Sequence, residues 1–172
     1  SLYERRTAPY LTQVSDTEWA EREAQFAAET AERAALDART IDTIQLGERA
    51  SEAAHNYRAL HDDLFSYEGV AGRQAAWGEG NYFEFDLAVE RGPVTLMALY
   101  WGQEVNKDFE IKIDGEVLIR ERRAQGPQRA FVSQSYPLPA RMTRGKQNLT
   151  VRVETRSTDA MVYEMRTLRG SA

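Results

Sequence analysis

From residue 40 onward, apolar and polar side chains alternate with a period of two, as in strands half-buried in a sheet. Phe83, Phe85, Leu87 and Val89 alternate with Tyr82, Glu84, Asp86 and Ala88, and Arg91-Gly92-Pro93 ends that run. Residues 94–101 are apolar on both faces, as a central strand would be. Further strands are expected over 41–46, 109–113, 117–119, 130–136, 149–153 and 161–165, at intervals of about ten residues. The segment 109–113 puts Phe109, Ile111 and Ile113 on one face and closes at Asp114-Gly115. That dipeptide accepts the left-handed backbone of a two-residue hairpin turn. Short strands separated by turn signals predict a sandwich or barrel rather than a parallel α/β sheet. The expected architecture is an antiparallel two-sheet sandwich of about eight strands, with Phe85, Leu87, Leu99, Ile111, Val151 and Val153 inside. Residues 47–81 are the least regular stretch, with glycines at 69, 72, 78 and 80.

Before residue 40 the texture differs. Residues 15–39 are rich in Ala, Glu and Arg and contain neither Gly nor Pro, which predicts a helix. Ser15-Asp16-Thr17-Glu18 matches a capping box, with Glu18 three residues after the cap. The apolar stripe of this helix is thin: Trp19, Phe26 and Leu36, with alanine elsewhere. A stripe so narrow buries little, so Trp19 and Phe26 are expected to lie against some other surface. The chain divides on this reading into a helical extension over 1–39 and a β-sandwich over 40–172.

A length of 172 residues suits one well-buried domain plus an appendage. The absence of cysteine excludes disulfides, thiolate metal sites and cysteine nucleophiles. A net charge of −5 argues against a nucleic-acid partner. The Arg120-Arg122-Arg123 cluster is offset by Glu116 and Glu121 and reads as a solvated strand edge. No apolar run approaches the roughly 18 residues of a membrane span, and no signal-peptide pattern is present. Ser1-Leu2-Tyr3 reads as though mid-domain, so a longer polypeptide is expected to precede it.

Candidate chemistry is sparse. Ser51-Glu52-x-x-His55 could contact hydroxyl groups of a ligand, or its side chains could fix a loop. His61-Asp62-Asp63 offers two adjacent carboxylates, too few by themselves for calcium, which needs several more oxygens. Trp77, Tyr82, Tyr100 and Trp101 could stack on a sugar ring or pack in the core. Gln103, Glu104 and Asn106 would flank Trp101 in a sugar platform. Burial is favoured for Trp101, because it continues the apolar run from Val94. The 27 acids show no pair set opposite one another across a cleft, as glycoside hydrolysis needs. No G-x-S-x-G, H-E-x-x-H or phosphate-cradling glycine motif occurs.

Several of these features stand in an order that resembles a known family. Ala38-Arg39-Thr40-Ile41-Asp42, Ser51-Glu52-x-x-His55, Tyr100-Trp101-Gly102 leading to Asp114-Gly115, Tyr136-Pro137-Leu138-Pro139, Gly145-Lys146 and the Leu149/Val151/Val153 strand are similar to the C-terminal β-sandwich of bacterial β-L-arabinofuranosidase-like glycoside hydrolases of the family 127 type. The chain departs from that pattern between Leu60 and Gly72. The resemblance implies a galactose-binding-like jelly roll after one long helix. It also implies a catalytic barrel in the same polypeptide and a periplasmic or extracellular location. The family's nucleophile and zinc ligands include cysteines, so no catalytic residue or metal carries over and no cofactor is expected. The leading reading is a non-catalytic domain docked on the barrel. The alternative is a carbohydrate-binding module for plant-type or arabinose- or galactose-containing glycans, with Glu52, His55, Trp101, Gln103 and Asn106 as candidate ligand contacts.

Overall fold

The computed structural model describes residues 15–170 and divides at Arg39 into a helical unit and a β-rich unit. Helix α1 spans Asp16–Arg39. Its capping box forms as the sequence predicts. The Glu18 amide donates to Ser15 Oγ at 3.1 Å, and the Ser15 amide donates to Glu18 Oε2 at 3.3 Å. Trp19 and Phe26 lie along this helix and are 57% and 71% exposed. Alanine supplies helix propensity without apolar bulk, so the helix forms without a face broad enough to bury.

The β-rich unit is an antiparallel jelly-roll sandwich. Its strands are β1 (Thr40–Gln45), β2 (Arg58–Leu60), β3 (Asp62–Tyr67), β4 (Val70–Ala75), β5 (Tyr82–Ala88), β6 (Val94–Trp101), β7 (Lys107–Ile113), β8 (Glu116–Arg123), β9 (Phe131–Pro137), β10 (Asn148–Thr155), β11 (Ala160–Val162) and β12 (Glu164–Arg169). Short helices α2 (Arg49–Ala54) and α3 (Ala140–Thr143) lie in two connections. One sheet has the order β1-β12-β6-β9 and the other β2-β5-β10-β7-β8. Among the described residues the twelve strands exceed the eight expected, and a third sheet, β11-β4-β3, joins the two.

Two differences from the sequence reading produce that third sheet. The irregular stretch after residue 47 contains a hairpin, in which Tyr67 pairs with Val70 across Glu68-Gly69. Its strand β3 is mostly exposed and lacks a clean alternation, which hides it from pattern reading. The segment expected as one strand over 161–165 is split, β11 joining the small sheet and β12 the four-stranded one.

The hairpin at Asp114-Gly115 is as predicted: both residues have positive φ (49° and 85°), and Ile113 pairs with Glu116. Between the two large sheets lie Phe83, Phe85, Leu87, Leu96, Ala98, Tyr100, Phe109, Ile111, Val151 and Val153. Leu99 is a correction. It sits on the opposite face of β6 from Leu96, Ala98 and Tyr100 and is only partly buried. A strand apolar on both faces carries no phase from which to tell its inner side. The outer face of β6 is covered at one end by a chain of edge-on rings. Tyr67 meets Trp101 at 4.9 Å, Trp101 meets Phe131 at 5.0 Å, Phe131 meets Tyr163 at 4.9 Å and Tyr163 meets Phe65 at 5.2 Å. These contacts fasten β3 to β6 and β9.

Candidate functional site

Most of the side chains proposed from sequence as ligand contacts turn out to hold the fold together. Helix α2 is short and directs Ser51, Glu52 and His55 toward the protein. The Glu52 carboxylate accepts from Arg73 Nε and Nη2 (both 2.8 Å) and from the Gly47 amide (3.0 Å). Burial raises its pKa, but Arg73 and the Gly47 amide outweigh burial, and the net value lies below that of an ordinary glutamate. His55 Nδ1 lies 2.6 Å from the Ser51 carbonyl, and Nε2 lies 2.9 Å from Asp42 Oδ1. Both partners are acceptors, so the ring satisfies both contacts only as a cation. Burial lowers the His55 pKa, but Asp42 and the Ser51 carbonyl raise it further, and the net shift is upward. Asp42 Oδ2 in turn accepts the Ala88 amide at 2.8 Å. The motif therefore ties β1, β4 and β5 together. Asp62 is likewise engaged, by the Tyr57 hydroxyl at 2.7 Å and Arg73 at 3.4 Å. No group of three or more metal-ligating side chains occurs among the described residues.

The Trp101 platform is also corrected. Trp101 is 9% exposed, with its ring clasped between Tyr67 and Phe131 rather than flat to solvent. Gln103 Nε2 donates to the Pro127 carbonyl at 3.3 Å, and Asn106 Oδ1 accepts the Gln125 amide at 3.0 Å. Both amides brace the loops at that end of the sandwich. Gly102 explains the tightness, since a Cβ there would stand 2.5 Å from the Gln128 carbonyl oxygen.

Glu104 turns inward. Neither carboxylate oxygen is exposed or hydrogen-bonded; the backbone of Trp101 lies near enough to favour the anion but outside hydrogen-bonding geometry. Burial pushes its carboxyl up to about 7, against the opposing pull of Lys107. The unfolded chain ionises this group near 4.5. Stability should therefore be full below that pH and fall as pH rises through about 7, by about 3 kcal/mol in all. Glu104→Gln should flatten most of this slope in denaturant melts taken between pH 5 and 8. An unchanged slope would show that Glu104 is not the titrating group.

Among the four aromatics considered for stacking, Tyr100 is fully buried, and its hydroxyl lies 2.8 Å from that of Tyr136. Tyr82 is capped by the Arg152 guanidinium, 3.7 Å from the ring centroid. Arg152 belongs to a ladder of paired charges over the outer face of the five-stranded sheet, in which Arg58 and Arg152 hold Glu84 while Lys112 holds Glu154. Trp77 alone of the four stands free, at 68% exposure. Its loop, residues 76–81, is short and tied down on both sides. The Ala76 amide donates to the His61 carbonyl at 2.9 Å, and the Gly80 and Asn81 amides donate to Thr155 at 3.0 and 3.1 Å. Asn81 Nδ2 reaches across to the Ala76 and Trp77 carbonyls at 3.0 and 3.3 Å. Glu79 and Arg156 stand at the same end of the sheet, 3.7 Å apart. An exposed ring on a pinned backbone, with an acid and a guanidinium nearby, can stack on an apolar face and hydrogen-bond at its rim. The alternation of 82–89 places Trp77 just before a strand; only its exposure in the folded chain shows that the ring faces outward.

Residues 35–168 match the family described as a family of unknown function (DUF6805). No curated protein matches. Among solved structures, the chain is similar to a family 35 carbohydrate-binding module from Clostridium thermocellum at 16% identity and a TM-score of 0.53, over 76% of this chain and 97% of that one. It is also similar to a family 6 carbohydrate-binding module (13% identity, TM-score 0.54, 74% and 93% covered). A third is the CBM36-1 domain of a multidomain xylanase from the hindgut metagenome of Trinervitermes trinervoides (9% identity, TM-score 0.53, 76% and 98% covered). Likeness at such identities establishes the fold alone. The chain thus belongs to the DUF6805 family and folds as the β-sandwich it shares with those carbohydrate-binding modules.

Proposed function

We propose that this chain is a non-catalytic carbohydrate-binding module, with Trp77 as the ring on which a sugar stacks. The observation that carries the reading is an exposed indole on a rigid loop, in a sandwich whose structural neighbours are carbohydrate-binding modules. Glu79 and Arg156 would supply polar contacts at the rim. The resemblance to family 127-type hydrolases supports a place behind a catalytic barrel in the same exported polypeptide, and arabinose- or galactose-containing glycans as ligands. A purely structural domain docked on the barrel would need no exposed ring here. The test is affinity electrophoresis and calorimetric titration with arabinose- and galactose-containing oligosaccharides. Wild type should bind at millimolar strength or tighter. Trp77→Ala should lose roughly tenfold or more of that affinity while stability changes by no more than about 0.5 kcal/mol. Failure of wild type to bind, or full retention by the variant, would return the domain to the docking role.

A further inference from the structure

A cavity of about 730 Å³ opens at the other end of β5, between the β5–β6 connection and the β9–β10 connection. Its volume lies within the roughly 300–1,000 Å³ range of small-molecule sites. Its charge sets it apart in a chain of net charge −5. Arg91, Arg144 and Lys146 line it, against a single acid, Glu90. Glu90 is already neutralised by Arg169, through bonds of 2.7 and 2.9 Å. Lys146 leans on Asp114 at 2.6 Å. Arg91 and Arg144 are exposed and have no ion pair among the described residues. By contrast, Arg58, Arg152 and Lys112 on the five-stranded sheet are each locked to a carboxylate. Pro93 and Leu138 give the cavity an apolar patch beside these cations.

We infer that this cavity is a second site, separate from Trp77, that takes an anionic saccharide unit through Arg91 and Arg144. A guanidinium offers paired N–H donors in a plane, which matches the two oxygens of a carboxylate or a sulfate ester. Pro93 and Leu138 would lie against the C–H face of the same sugar ring. That the anion is carried on a saccharide rests on the carbohydrate-binding reading; the preference for an anion rests on the cavity alone. Uronates and sulfated sugars share the chemistry and are separated in the test.

Amide chemical-shift mapping and calorimetry would be run on the full chain with three probes: a galacturonic acid trisaccharide, a sulfated galactose oligosaccharide and a neutral galactose oligosaccharide. One or both acidic probes should shift resonances over 90–93 and 138–147, with affinity falling as salt is raised from 20 to 300 mM, through about a threefold change in Debye length or more. Arg91→Ala/Arg144→Ala should weaken the acidic probe by roughly tenfold or more, and the Lys double variant should restore part of it. Trp77→Ala should leave that binding unchanged. The neutral probe should shift only the loop around Trp77, so the two sites succeed or fail separately. Acidic binding that survives the double variant, shifts confined to the Trp77 end, or no binding of either acidic probe at millimolar concentration would overturn the inference.

Discussion

Replacing Lys107 by methionine should destabilise the sandwich by about 3–5 kcal/mol near pH 7, seen as a fall in melting temperature of about 10–20 °C. Lys107 and Asp159 are both 8% exposed at the side chain, and Nζ lies 2.5 Å from Asp159 Oδ1. The other Asp159 oxygen accepts from Gln74 Nε2 at 2.5 Å. The pair therefore joins the start of β7 to β4 through the loop before β11. Methionine keeps the length of the stem but removes the charge, leaving Asp159 without its cation in a site where water cannot replace it. Glu104 adds to the effect, because Lys107 is the foremost charge opposing the upward push of burial on its carboxyl. Adding Asp159→Asn to the methionine variant should recover much of the loss, since a well-packed neutral pair costs far less than an unpaired charge. A single-variant loss below about 1 kcal/mol would show that the pair is solvated and that Glu104 has a different counter-charge.

Trp101→Ala should cost a similar amount, about 3–5 kcal/mol, for a different reason. The ring is the middle link between the hairpin strand β3 and strands β6 and β9, touching Tyr67 on one side and Phe131 on the other. Its removal opens a cavity and leaves two aromatic edges without their partner, each such contact adding about 0.5–1.5 kcal/mol beyond burial. Hydrogen exchange should rise first in β3 and β4, which hold few core contacts of their own. At temperatures where the variant is folded, it should retain glycan as wild type does. Loss of glycan retention with stability intact would restore Trp101 to the ligand surface.

Much of this architecture is written in local pattern. The period-two runs from Tyr82 and from Leu149, the Asp114-Gly115 turn and the Ser15–Glu18 capping box each depend on neighbours within a few residues, and each forms as read. The hairpin of β3 and β4 escapes such reading because Leu64 and Tyr67 are exposed, so the strand shows no alternation toward a core. Leu99 is misassigned because both faces of β6 are apolar. Side-chain roles are less legible still. Glu52, His55, Gln103 and Asn106 are polar residues in loops or a short helix, and sequence assigns equal standing to a ligand and to a buried partner. Their partners Arg73, Asp42, Pro127 and Gln125 lie 13 to 24 residues away, so only the packed fold brings them together. The same holds for the two arginines of the cavity, which are 53 positions apart (144 minus 91) and line it together because the β5–β6 and β9–β10 connections come together at one end of the sandwich. Strands with a clear alternation and their tight turns were legible in the sequence, because they follow from short-range backbone preference and burial period. Which aromatic faces water, which acid is orphaned and which cations remain unpaired were decided by tertiary structure, because each depends on atoms contributed from distant strands.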